Sequence, residues 1–144
     1  MPKTLFLLLL AANVIAGQRP TLSWKSFQAP EYPQTARIAH IMGRTTVEFT
    51  LKDDGTATIR NTTGHPLLLQ AAVDTIKSSR FACSACGRES VFKVEFDFSF
   101  AVHSCEEAKR HPRYTSGLED PDRVSVQAEP VCTEDPRAVY ANVR

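Results

Sequence analysis

Cys83-Ser84-Ala85-Cys86 is the constellation with the most evident chemistry in the 144-residue chain. Two thiols at this spacing become a redox pair when a helix N-terminus lowers the pKa of one of them. The surroundings here are different: the pair follows a helix-like stretch and precedes Gly87 and a strand. A structural disulfide is the preferred reading, and a thiol-disulfide redox protein using Cys83 and Cys86 is the rival. Zinc would need four converging thiolates, and Cys105 and Cys132 are too widely spaced for a zinc-ribbon pattern. His40, His65, His103 and His111 are scattered, without the i,i+4 pairing that puts two imidazoles on one helical face, and read as surface or cap residues. Asp53, Asp54 and Asp74 read as turn and helix-surface residues. No nucleophile motif, phosphate loop or dinucleotide fingerprint is present. The expectation is therefore no catalytic residue, no metal and no cofactor: not an enzyme.

A formal charge of +1 gives no reason to expect nucleic acid or an anionic membrane surface as partner. At the N-terminus Lys3 precedes the apolar run Leu5 to Ala12, and Val14-Ile15-Ala16-Gly17 supplies small residues for processing. The run is about a dozen residues, against roughly twenty for a spanning helix. Residues 1–17 read as a signal peptide cleaved after Ala16 or Gly17, with membrane association only if the segment is retained. That places the chain in the periplasm or outside the cell, where thiols pair and stay paired. Cys83, Cys86, Cys105 and Cys132 allow three connectivities, among which sequence does not choose. The layout favours Cys83 with Cys86 and Cys105 with Cys132. The second loop, about 27 residues, would stabilise the fold by about 3 to 4 kcal/mol.

The elements around these cysteines follow from periodicity. Phe92, Val94, Phe96, Phe98 and Phe100 alternate with Val91, Lys93, Glu95, Asp97 and Ser99, as a half-buried strand requires. Thr45, Val47, Phe49 and Leu51 do the same from Thr45 to Lys52, and Asp53-Asp54-Gly55 follows as a hairpin signal. Thr56 to Asn61 is the returning strand, with Ala57 and Ile59 inward. Beyond Thr63-Gly64, Pro66 fits a first helical position, and Leu68, Leu69, Ala72, Val73 and Ile76 recur at helical spacing through Ser78. A shorter helix starts at Pro33 with Ala36, Ile38 and Ala39, and Tyr32 just ahead of it is a packing anchor. The expected fold is α+β: a small antiparallel three-stranded sheet (ββαβ) with a helix on one face. Residues 18–29 read as a linker and 30–100 as the domain. Residues 101–144 form a C-terminal extension, with Glu106 to Asp122 a solvated loop and a possible extra strand at 123–129.

Tyr32-Pro33, Ala36, Gly43, the Val47 and Phe49 pair, Asp54-Gly55, Thr63-Gly64, Leu68, Ala71-Ala72, Ile76, Phe81 and the aromatic strand together resemble the C-terminal domain of the TonB energy-transducer family. The resemblance covers Ala29 to Phe100. Arg80-Phe81-Ala82-Cys83 departs from it, since the family commonly runs through an aromatic residue and a proline there. The resemblance implies a protein partner, an outer-membrane TonB-dependent transporter, whose short N-terminal segment is bound by strand addition. The edge it implies is Val91 to Phe100, with Val91, Lys93, Glu95, Asp97 and Ser99 outward, where unpaired backbone groups accept a strand. The membrane helix and long proline-rich linker of full transducers have no convincing counterpart, so the reading is a TonB-like binding module. A structural envelope protein stabilised by disulfides is a third reading. One further possibility changes the edge: Val124 to Ala128, tethered by Cys105 and Cys132, is suited to pair with the aromatic strand and occupy it.

Overall fold

The computed structural model describes residues 19–87, 89–101, 106 and 115–132. The signal segment read at 1–17, and Cys105, lie outside them. The order is β1 (Thr21–Ser26), α1 (Gln34–Ile38), β2 (Gly43–Leu51), β3 (Ala57–Thr63), α2 (Pro66–Ser78), β4 (Arg80–Ser84), β5 (Val91–Phe100), β6 (Thr115–Asp120) and β7 (Arg123–Ala128). Five strands form one mixed sheet in the order β3-β2-β5-β7-β6, and β1 pairs with β4 in a separate antiparallel ribbon. The expected α+β class holds. The three-stranded sheet is corrected to five strands, because β7 adds in parallel to β5 and β6 folds back antiparallel on β7.

The β2–β3 hairpin closes where the sequence places it. Gly55 N-H donates to the Lys52 carbonyl at 3.0 Å, and Asp54 Oδ1 accepts from the Thr56 backbone at 2.9 Å and its hydroxyl at 2.6 Å. These bonds hold the Asp54 carboxyl below its usual pKa. Gly55 has φ +79°, and a Cβ there would lie 2.5 Å from the Phe81 carbonyl oxygen, so only glycine lets β4 approach this turn.

α2 starts at Pro66, with the His65 side chain accepting the Leu67 N-H at 3.2 Å as its cap. Its buried stripe, Leu68, Ala72 and Ile76, is fully covered and packs on β2 and β3. Phe49, Phe96 and Phe98 of the sheet are buried beneath the covering layer. Tyr32 covers the far end of β5, stacking on Phe100 at 5.4 Å and meeting Phe98 edge-on at 5.3 Å. Its hydroxyl donates to the Ile41 carbonyl at 2.6 Å, and burial pushes its pKa up to about 12 against the lowering effect of Arg37. The ribbon closes the near end, with Trp24 against Phe81 at 4.5 Å and Phe81 against Phe49 at 5.0 Å.

Residues 18–29, read as a linker, thus contain a strand, and part of the stretch read as a solvated loop is β6. No helix among the described residues is long and apolar enough to cross a membrane.

Candidate functional site

β5 is the structural centre of the sheet. On one side it pairs antiparallel with β2 along Val91 to Phe98; on the other it pairs in parallel with β7 from Glu95↔Arg123 to Phe100↔Ala128. The expectation that Val91 to Phe100 forms a free border is therefore corrected: Glu95, Asp97 and Ser99 face Arg123, Ser125 and Gln127 of the same chain. The physical reason is the alternation in β7, which places Val124, Val126 and Ala128 inward at 0% exposure and so extends the core across the aromatic strand.

Backbone and side-chain bonds fix the β6–β7 hairpin at both ends. Glu95 N-H donates to the Asp122 carbonyl at 2.8 Å, and Ala101 N-H to that of Ala128 at 2.9 Å. Trp24 Nε1 donates to the Pro121 carbonyl at 2.8 Å, and Arg37 Nε to that of Glu129 at 2.8 Å. On the outer face the Glu95 carboxylate lies between Arg44 Nε at 3.1 Å and Arg123 Nε at 3.6 Å. Among the described residues its Oε1 has no aligned hydrogen-bond donor, and the attraction to the two arginines is electrostatic. With both arginines half exposed, these pairs contribute at most about 1 kcal/mol each.

Val91 and Lys93 differ from the other three edge residues. Pairing with β7 begins at Glu95, so among the described residues Val91–Val94 has a strand on the β2 side alone. The Glu95 N-H points at Asp122, and the alternation of backbone direction along a strand turns the N-H and C=O of Val91 and Lys93 to that same side. They face a cavity of about 420 Å³ lined by Pro20, Thr21, Leu22, Phe92, Pro121 and Asp122 as well as by themselves. Val91 is 57% exposed, the most open large apolar side chain in the strand. The sequence reading missed the walls of this opening. Alternation of Leu22 and Trp24 with Thr21, Ser23 and Lys25 was the available signal for β1.

Cys83 and Cys86 are joined in a disulfide. Cys132 is also disulfide-bonded, while its expected partner Cys105 lies outside the described residues. Among the described residues no group of His, Cys, Asp and Glu could hold a metal ion.

The fold is an α+β domain whose central strand has a border only half covered by its own chain. The family model for the Gram-negative bacterial TonB protein C-terminal matches residues 28–102, just over half of the chain, and the chain belongs to that family. The family is a non-enzymatic energy-transducing and binding domain, in agreement with the reading as a non-enzyme. Among solved structures the chain is similar to the solution NMR structure of the Pseudomonas aeruginosa TonB C-terminal domain. That match has 19% identity and a TM-score of 0.45, and covers 58% of this chain and 90% of the other. No curated protein is significantly similar to the chain.

Proposed function

We propose that this chain is an exported, periplasmic binding module that takes a short extended segment of a partner protein, an outer-membrane transporter or another envelope protein, as an added strand. The observation that carries this reading is the half-covered border of β5: β7 occupies Glu95 to Phe100 and leaves Val91–Val94 beside a cavity. The backbone groups of Val91 and Lys93 supply the hydrogen bonds, Leu22 and Phe92 receive an inward apolar side chain, and Lys93 and Asp122 select at the rim.

Displacing the resident hairpin is the costly alternative. Exposing Val124 and Val126 alone costs on the order of 3 to 6 kcal/mol, and an invading segment must recover that before it gains any affinity. At about 1.4 kcal/mol per tenfold this lowers apparent affinity by 10² or more. The open stretch is four residues, about 13 Å at the usual rise of a strand. A grip of that length suits recognition more than the transmission of force.

The test is calorimetric titration of the full chain with N-terminal peptides of outer-membrane transporters. Lys93→Pro removes the N-H that faces the cavity and leaves the bonds to β2, which use the even-numbered residues. Lys93→Ala keeps the N-H. The expected result is at least tenfold weaker binding by the proline variant and less than threefold change for alanine, with both variants folded by circular dichroism. Equal binding by the two variants overturns the reading.

A further inference from the structure

We infer that the Cys83–Cys86 disulfide is an exchange site for a thiol-bearing partner, with Cys86 the sulfur attacked and Cys83 the sulfur released; this stands independently of the docking reading above. The two sulfurs are held differently. Cys83 lies in β4, opposite Leu22 in the ribbon, and is half-buried; Cys86 lies past the last paired residue, Ser84, and is exposed. Ser84, Ala85 and Gly87 around it are exposed as well, so a thiolate can reach Cys86 from solvent.

The loop also carries strain. With only two residues between the cysteines, Ala85 sits at φ +58°, a left-handed conformation that a side chain with a Cβ disfavours. Opening the bridge frees Ala85 to leave it, which favours reduction. Both sulfurs line a cavity of about 400 Å³ that can admit an incoming thiol. Exposure and strain are the properties that separate labile disulfides from structural ones.

The step balances with a dithiol as reductant. A donor thiolate attacks Cys86 Sγ, the Cys83–Cys86 bond breaks, and its electron pair stays on Cys83 Sγ, which takes a proton from water when it is not held as the thiolate. The donor's second thiolate then attacks the donor sulfur of the mixed disulfide and releases Cys86. Two electrons pass to the protein, and the donor leaves as a disulfide.

Cys132 provides the internal reference, because it is half-buried, four residues after the end of β7, and also disulfide-bonded. The oxidised full chain is exposed to limiting dithiothreitol, quenched in acid, alkylated with iodoacetamide and mapped by mass spectrometry. Cys83 and Cys86 are expected to open at least tenfold faster than Cys132. In a second measurement, glutathione disulfide is added to the Cys83→Ser and Cys86→Ser variants, each checked for folding by circular dichroism. Glutathione is expected to join Cys86 in the first variant at least tenfold faster than Cys83 in the second. Opening of Cys132 at the same rate or sooner overturns the proposal, and so does faster reaction at Cys83.

Discussion

Thr45 occupies a fully buried position in β2, and its hydroxyl has no hydrogen-bond partner among the described residues. An unpaired buried hydroxyl costs about 1 to 3 kcal/mol. Thr45→Val keeps the shape and the strand preference and removes the hydroxyl, so it is expected to raise unfolding stability by about 1 kcal/mol, read from urea midpoints. Tyr32 gives the chain an alkaline limit. Its pKa is raised to about 12 in the fold, chiefly by burial, from an ordinary value of 10.0. Between those pH values the unfolded chain loses a proton that the folded one keeps, so stability present below pH 10 declines as pH approaches 12. Tyr32→Phe abolishes that decline and lowers stability at neutral pH by about 1 kcal/mol through loss of the bond to Ile41; urea titrations at pH 8 and pH 11 separate the two effects. At Gly55 the clash with the Phe81 carbonyl and the positive φ act together, and Gly55→Ala is expected to lose about 2 kcal/mol or more in the same assay.

At the scale of elements, the hairpin of β6 and β7 is held by burial, and the test is a deletion of methyl groups. Val126→Ala leaves a cavity at a fully covered site and is expected to cost about 2 kcal/mol. It should also speed amide exchange at Glu95 and Ala101, whose N-H groups bond to Asp122 and Ala128. Elements with a strong period were legible. The β2, β5 and α2 faces lie as alternation and helical spacing require, and α2 runs from Pro66 to Ser78 as read from the sequence. β6 was not legible, because Thr-Ser-Gly-Leu-Glu-Asp has no apolar period and becomes a strand only through its partner β7. β4 was hidden for a similar reason: five residues with a single buried side chain, Phe81, give too short a pattern to read. The candidate edge was legible as a strand, and the alternation of Val124, Val126 and Ala128 pointed to its pairing with the aromatic strand, as found; that the pairing stops at Glu95 was not legible, since register across a sheet leaves no mark in local spacing.

At the scale of the whole molecule, the family domain and the extension share one core, in which Phe96, Phe98, Val124 and Val126 belong to a single cluster. Cys132→Ser removes the bridge that Cys132 makes and is expected to cost about 2 to 4 kcal/mol, measured as a lowered Tm and urea midpoint in the absence of reductant. The two outermost strands have something in common. Arg60 is an extra residue in β3 opposite the Glu48–Phe49 step, and Glu119 is an extra residue in β6 opposite the Arg123–Val124 step. Each rim is thus kinked and carries a charge at the kink, one positive and one negative, so neither presents a straight template for another copy to build upon. Strand addition is thereby steered away from the two rims and towards the short open stretch of β5.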